Sequence, residues 1–89
     1  MQTNFLLGTL KLTESARMVL KRQPYDLIAR HAMNEHGLIT EKERQKNEIG
    51  MKTLGPIISR YMADPTDPRS KKIVIITSNT WCETLVAIE

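Results

Sequence analysis

The stretch GLITEKERQKNEIGMKTLGPIISRYM, Gly37–Met62, decides the fold. Its first half carries a helix-start signal. Thr40 stands three residues before Glu43, the spacing of a capping box in which each side chain takes the other residue's free backbone N–H. This predicts a helix from Glu41 to about Ile49, almost entirely polar, with Ile49 its one clear apolar residue. Gly50 reads as a break, because glycine inside a helix costs about 1 kcal/mol against alanine. In the second half, Leu54, Ile57, Ile58 and Tyr61 recur at i, i+3, i+4 and i+7, one apolar face of a helix. Pro56 is tolerable in the first turn of such a helix. The stretch therefore reads as two short helices joined at an angle by a tight turn over residues 50–53.

Working outward, Thr13 can cap a helix reaching about Arg22, with Ala16, Val19 and Leu20 on one face. Gln23-Pro24 ends it, since the residue before proline avoids the helical region. Pro24 starts the next helix, PYDLIARHAMNEH, whose stripe is Leu27, Ile28, His31 and Ala32; Gly37 follows as a left-handed cap. Downstream, ADPTDPRSKK is a loop with two Asp-Pro pairs. KIVIIT and CETLVAIE are β-branched, apolar runs that predict an antiparallel hairpin, with Asn79 as its turn residue.

The 89 residues make one domain. It divides into an N-terminal extension (1–23), a helical core (24–63), a loop (64–72) and a hairpin (73–89). A chain this short buries roughly 60–65% of its unfolded surface, so a dimer or a bound partner would add stability. The net charge of +3 leans towards anionic partners. Scarce aromatics (Phe5, Tyr25, Tyr61, Trp81) argue against stacking on single-stranded nucleic acid. The opening MQTNFLLGTLKL lacks a basic leader and a membrane-length apolar run, and the single cysteine, Cys82, cannot form an internal disulfide. These features predict a cytoplasmic protein.

From Tyr25 onward, GLIT before a capped helix, then IGMKTLGPIISRYM as turn plus helix, then a two-stranded hairpin, resembles a winged helix-turn-helix domain. The fold class expected is α+β, mainly helical. The resemblance implies double-stranded DNA as partner, transcription regulation as role and a homodimer as assembly. It places the Thr53–Met62 helix in the major groove, with Lys52, Thr53, Ser59 and Arg60 facing bases or phosphates. Lys42, Arg44, Lys46, Arg69, Lys71 and Lys72 are candidate phosphate contacts, and Asn79 sits at the wing tip.

Competing readings are plainer. Lys42, Arg44 and Lys46 alternate with Glu41, Glu43 and Glu48, as on a solvated helix with internal ion pairs. Lys52 and Arg60 can lie over the core by their stems. His31 and His36, five apart with Glu35 between, match no zinc spacing, and His31 reads as a core histidine. Cys82 reads as a buried strand thiol. No phosphate-binding loop or catalytic triad is present, so neither an enzyme nor a metal or cofactor is expected. The alternative function is a protein-binding adaptor or inhibitor, in which LVAIE, as an open sheet edge, would pair with another chain.

Overall fold

The computed structural model describes residues 6–89. Residues 1–5, part of the N-terminal stretch read above, lie outside the described residues. The elements are β1 (Thr9–Leu12), α1 (Glu14–Leu20), α2 (Tyr25–Ala32), α3 (Glu41–Thr53), β2 (Ile57–Met62), β3 (Lys72–Thr77), a short 3-10 turn (Asn79–Trp81) and β4 (Glu83–Ile88). The strands form one mixed sheet in the order β1-β4-β3-β2. With about 37% helix and 27% strand the chain is α+β, and the mainly helical, winged helix-turn-helix architecture is corrected.

The correction falls on the Gly37–Met62 stretch. The capping box forms as read, with Thr40 Oγ1 accepting from Glu43 N–H and Glu43 accepting from Thr40 N–H. The helix then runs through Gly50 and ends at Thr53, with Leu54 in the left-handed region at φ 58°. Gly50 is a contact point: a Cβ there would sit 2.6 Å from the Pro56 carbonyl oxygen and 2.9 Å from Ile57 Cδ1. Pro56 favours an extended Gly55, and Ile57–Met62 continues as a strand with strictly alternating burial. Ile57 and Tyr61 face the core because four is also a multiple of the strand period. Between them Ser59 also points inward, and a polar residue there hides the alternation.

A second correction concerns the two ends of the chain. The segment read as an N-terminal extension supplies β1, which runs parallel to β4 with Thr9 opposite Glu83 and Leu12 opposite Val86. β3 and β4 pair antiparallel, with Thr77 opposite Thr84. β4 is therefore an interior strand, and LVAIE offers no open edge.

The core lies between one sheet face and helices α1 and α2. Ala16, Leu20, Leu27 and Ile28 from the helices pack with Tyr61, Ile73, Ile75 and Val86 from the sheet. Thr13 caps α1 by accepting from Ala16 N–H at 3.1 Å. α2 stops at Ala32, short of the expected span. Gly37 does have positive φ, 70°, but there it lets residues 36–38 lie against β2. Arg60 N–H donates to the His36 carbonyl at 3.0 Å, and Leu38 N–H to the Arg60 carbonyl at 2.7 Å. These bonds, with α3 alongside, close the outer edge of β2.

Candidate interaction surfaces and a buried polar seam

The residues expected to contact DNA are scattered by this fold. Ser59 is fully buried on β2. Arg60 lies on the opposite face of β2 with its side chain 15% exposed. Its guanidinium grips Glu43 at 2.7 and 3.0 Å and also pairs with Glu89. The Glu43 bond is the main reason that the arginine's pKa is raised, and the same bond holds the Glu43 carboxyl down at about 2. Arg60 is thus a clamp joining the start of α3 to the chain's last residue. Lys42, Lys46, Lys52 and Thr53 are exposed on α3, and the three lysines form no ion pair among the described residues. Arg44 is bound to Glu41 at 2.6 Å. Arg69 and Lys71 are exposed between β2 and β3, Lys72 begins β3, and Asn79 lies in the turn before β4. Cys82, expected to be a buried strand thiol, is exposed just before β4, with Thr80 Oγ1 2.8 Å from its sulfur.

The second sheet face has a different character. Register places Ile58 opposite Ile76 and Ile76 opposite Leu85, while Val74 pairs with Ala87. Strand alternation puts these five side chains on the face away from the core. All are half-buried except Ile76, which is 37% exposed. Met18 and Val19 of α1 line a pocket with Ala87 at one margin of this face, and Glu43 of α3 reaches Arg60 at another. Its rim is charged in both signs, with Lys11 paired to Glu83 at 2.9 Å on one side and the Arg60–Glu89 pair on the other. A water-facing antiparallel sheet normally alternates to polar residues, so this apolar face is a departure.

A polar seam runs through the core itself. His31, Ser59, Thr77 and Thr84 are all fully buried. His31 Nδ1 lies 2.5 Å from Ser59 Oγ and Nε2 lies 2.9 Å from Thr77 Oγ1. Thr77 Oγ1 is 2.7 Å from Thr84 Oγ1, which donates to the Leu7 carbonyl at 2.6 Å. At the other end, half-buried His36 places Nδ1 2.6 Å from Ser59 Oγ. Burial, with a smaller contribution from His36, lowers the His31 pKa to about 3; burial alone lowers that of His36. The sequence marked His31 as a core residue, but nothing local linked it to Ser59, which the helical reading had placed in solvent.

Comparison with protein-family models, curated proteins and solved structures returns no match. The chain is a small α+β domain with a four-stranded mixed sheet, and no helix among its described residues is long and apolar enough to cross a membrane.

Proposed function

We propose that this chain is a protein-docking module whose open sheet face takes a second copy of itself. The observation that carries this reading is the in-register apolar patch of Ile58, Val74, Ile76, Leu85 and Ala87. A contiguous apolar face rimmed by polar groups is what an interaction surface requires. The rim charges of this face are paired within the chain, Lys11 with Glu83 and Arg60 with Glu89, so a second copy meets no uncompensated like charge there. The patch spans three strands, and three strands at about 4.8 Å spacing by five residues at about 3.3 Å give a face of roughly 240 Å². That is well below the ~800 Å² per partner of a standard interface, so a weak, concentration-dependent dimer is expected. Sedimentation velocity over a range of micromolar concentrations tests it. The wild type should shift towards dimer as concentration rises, and Ile76→Asp should stay monomeric with an unchanged far-UV spectrum. A monomer at every concentration would overturn the second copy as occupant.

Double-stranded DNA remains a second reading, supported by the exposed lysines Lys42, Lys46 and Lys52. In this reading α3 lies against the duplex, and Arg69, Lys71 and Lys72 supply phosphate contacts. Fluorescence anisotropy with a random-sequence duplex tests it across a salt titration. Replacing the three α3 lysines with alanine should reduce the log–log salt slope by about 2–3 if each meets a phosphate. No binding at low salt would overturn it.

A further inference from the structure

The Leu7 carbonyl fixes the direction of the hydrogen bonds that run from Thr84 through Thr77, His31 and Ser59 to His36. A carbonyl only accepts, so Thr84 gives its single hydroxyl proton to Leu7. Thr84 Oγ1 must then accept from Thr77, whose proton is committed there. Thr77 in turn accepts from His31, which makes Nε2 the protonated nitrogen of that ring. Burial keeps His31 neutral, so its Nδ1 is a bare acceptor and takes the Ser59 proton. Ser59 has no second proton to give. Its 2.6 Å contact with His36 is therefore donated by His36 Nδ1–H, leaving Nε2 of the neutral His36 ring as a lone-pair acceptor. No buried side-chain nitrogen or oxygen lacks a partner among the described residues. His36 Nε2, which forms no hydrogen bond there, consequently reaches solvent.

His36 lines an open cleft of about 280 Å³ together with Asn34, Arg44, Asn47, Glu48 and Met51. Two of these are already committed. Asn47 is bound to the backbone of Ile58, and Arg44 holds Glu41 through three hydrogen bonds. A ligand entering the cleft meets the His36 lone pair, the Asn34 amide, the Met51 thioether and the Glu48 carboxylate, which forms no salt bridge among the described residues but already acts electrostatically on Arg44. Arg44 gives its hydrogen bonds to Glu41, so the two carboxylates outnumber the one guanidinium, and an acceptor beside this net negative charge selects a donor-rich cation. We propose that this cleft binds a guanidinium or ammonium group, received by His36 Nε2 and Glu48, with its aliphatic stem against Met51. The site is separate from the open sheet face and stands whichever functional reading holds.

Two measurements on the intact chain test this. Long-range proton–nitrogen correlation spectra with isotope-labelled histidine report the tautomer directly. His36 should carry its proton on Nδ1, the minor tautomer of free histidine, so this outcome is not the default. Titration with N-acetylarginine amide, and separately with spermidine, should then move the His36 Nε2 resonance saturably in the millimolar range. Glu48→Gln should weaken binding by about tenfold, the equivalent of 1.4 kcal/mol. His36→Asn, whose amide can still donate to Ser59, should keep the folded spectrum and lose binding. Saturation by the arginine derivative assigns the site to a peptide side chain, and saturation by spermidine alone assigns it to a free polyamine. An Nε2-protonated His36 in the wild type, or no saturable shift with either probe, would overturn the proposal.

Discussion

Asn47 stands in for a fifth strand: its side-chain amide donates to the Ile58 carbonyl at 2.8 Å, and its carbonyl oxygen accepts the Ile58 N–H at 2.9 Å. Asn47 is 3% exposed, so both bonds are shielded from water. One side chain thereby satisfies the outward-facing backbone pair near the start of the β2 edge, where an unblocked strand would template pairing with another chain.

Asn47→Ala removes both bonds at once. An unsatisfied buried backbone group costs ≈ 1–3 kcal/mol, and partial access of water to the vacated space moderates it, so a loss of about 2 kcal/mol is expected. The urea midpoint should fall with an unchanged m-value. An unchanged midpoint would show that water replaces the amide at no cost.

The buried seam predicts an acid-sensitive fold. In the unfolded chain His31 takes up a proton near pH 6.5, whereas in the folded chain it does so only near 3. The folded pKa is depressed, so the unfolded state binds the extra proton and stability falls as pH drops through this window. The slope approaches about 1.4 kcal/mol per pH unit, or about 2 kcal/mol lost by pH 5 from His31 alone. His36, also lowered by burial, acts in the same direction. Of the other groups near the seam, Tyr61 is raised by burial and stays protonated here. The carboxylate of Glu43, held down at about 2, adds its own loss only below about pH 4.5. Urea midpoints at pH 7, 6 and 5 therefore read the histidines. His31→Gln should lower stability at pH 7 and flatten the decline. A flat wild-type profile from pH 7 to 5 would contradict the neutral, buried assignment of His31.

Gly50→Ala separates the two readings of that glycine. Were Gly50 a helix breaker, alanine would stabilise the chain by up to about 1 kcal/mol. Because the added Cβ would meet the Pro56 carbonyl at 2.6 Å, a net loss of about 1–2 kcal/mol is expected, seen as a lower urea midpoint. The same residue shows where sequence reasoning stopped. Signals that act within one turn of chain were legible: Thr13 and Thr40 as caps, Pro24 before α2, and the apolar runs of β3 and β4. Signals that depend on a distant partner were not. Gly50 is explained by Pro56 and Ile57 packed against it, inward-facing Ser59 by His31, and β1 by β4 more than seventy residues away. Of the residues expected to face DNA, those placed on the Glu41–Ile49 helix remain exposed there, while Ser59 and Arg60 moved with the mistaken element.

Arg60 gives the sharpest reversal. On a recognition helix its replacement by alanine would leave the fold untouched. Here its bidentate grip on Glu43 is largely shielded, and it ties α3 to the end of β4 through Glu89. Exposed ion pairs contribute at most about 1 kcal/mol, but a bidentate charge-assisted pair with little water access is stronger. Arg60→Ala should cost about 1–2 kcal/mol and should increase hydrogen exchange in the first turn of α3. Arg60→Lys should recover little of this, because an ammonium cannot reproduce the two parallel bonds. The double variant Arg60→Ala with Glu43→Ala distinguishes a true coupling from two independent losses. A combined cost clearly smaller than the sum of the single costs places the energy in the Arg60–Glu43 contact, whereas strict additivity would show that the clamp contributes nothing beyond each side chain's own packing.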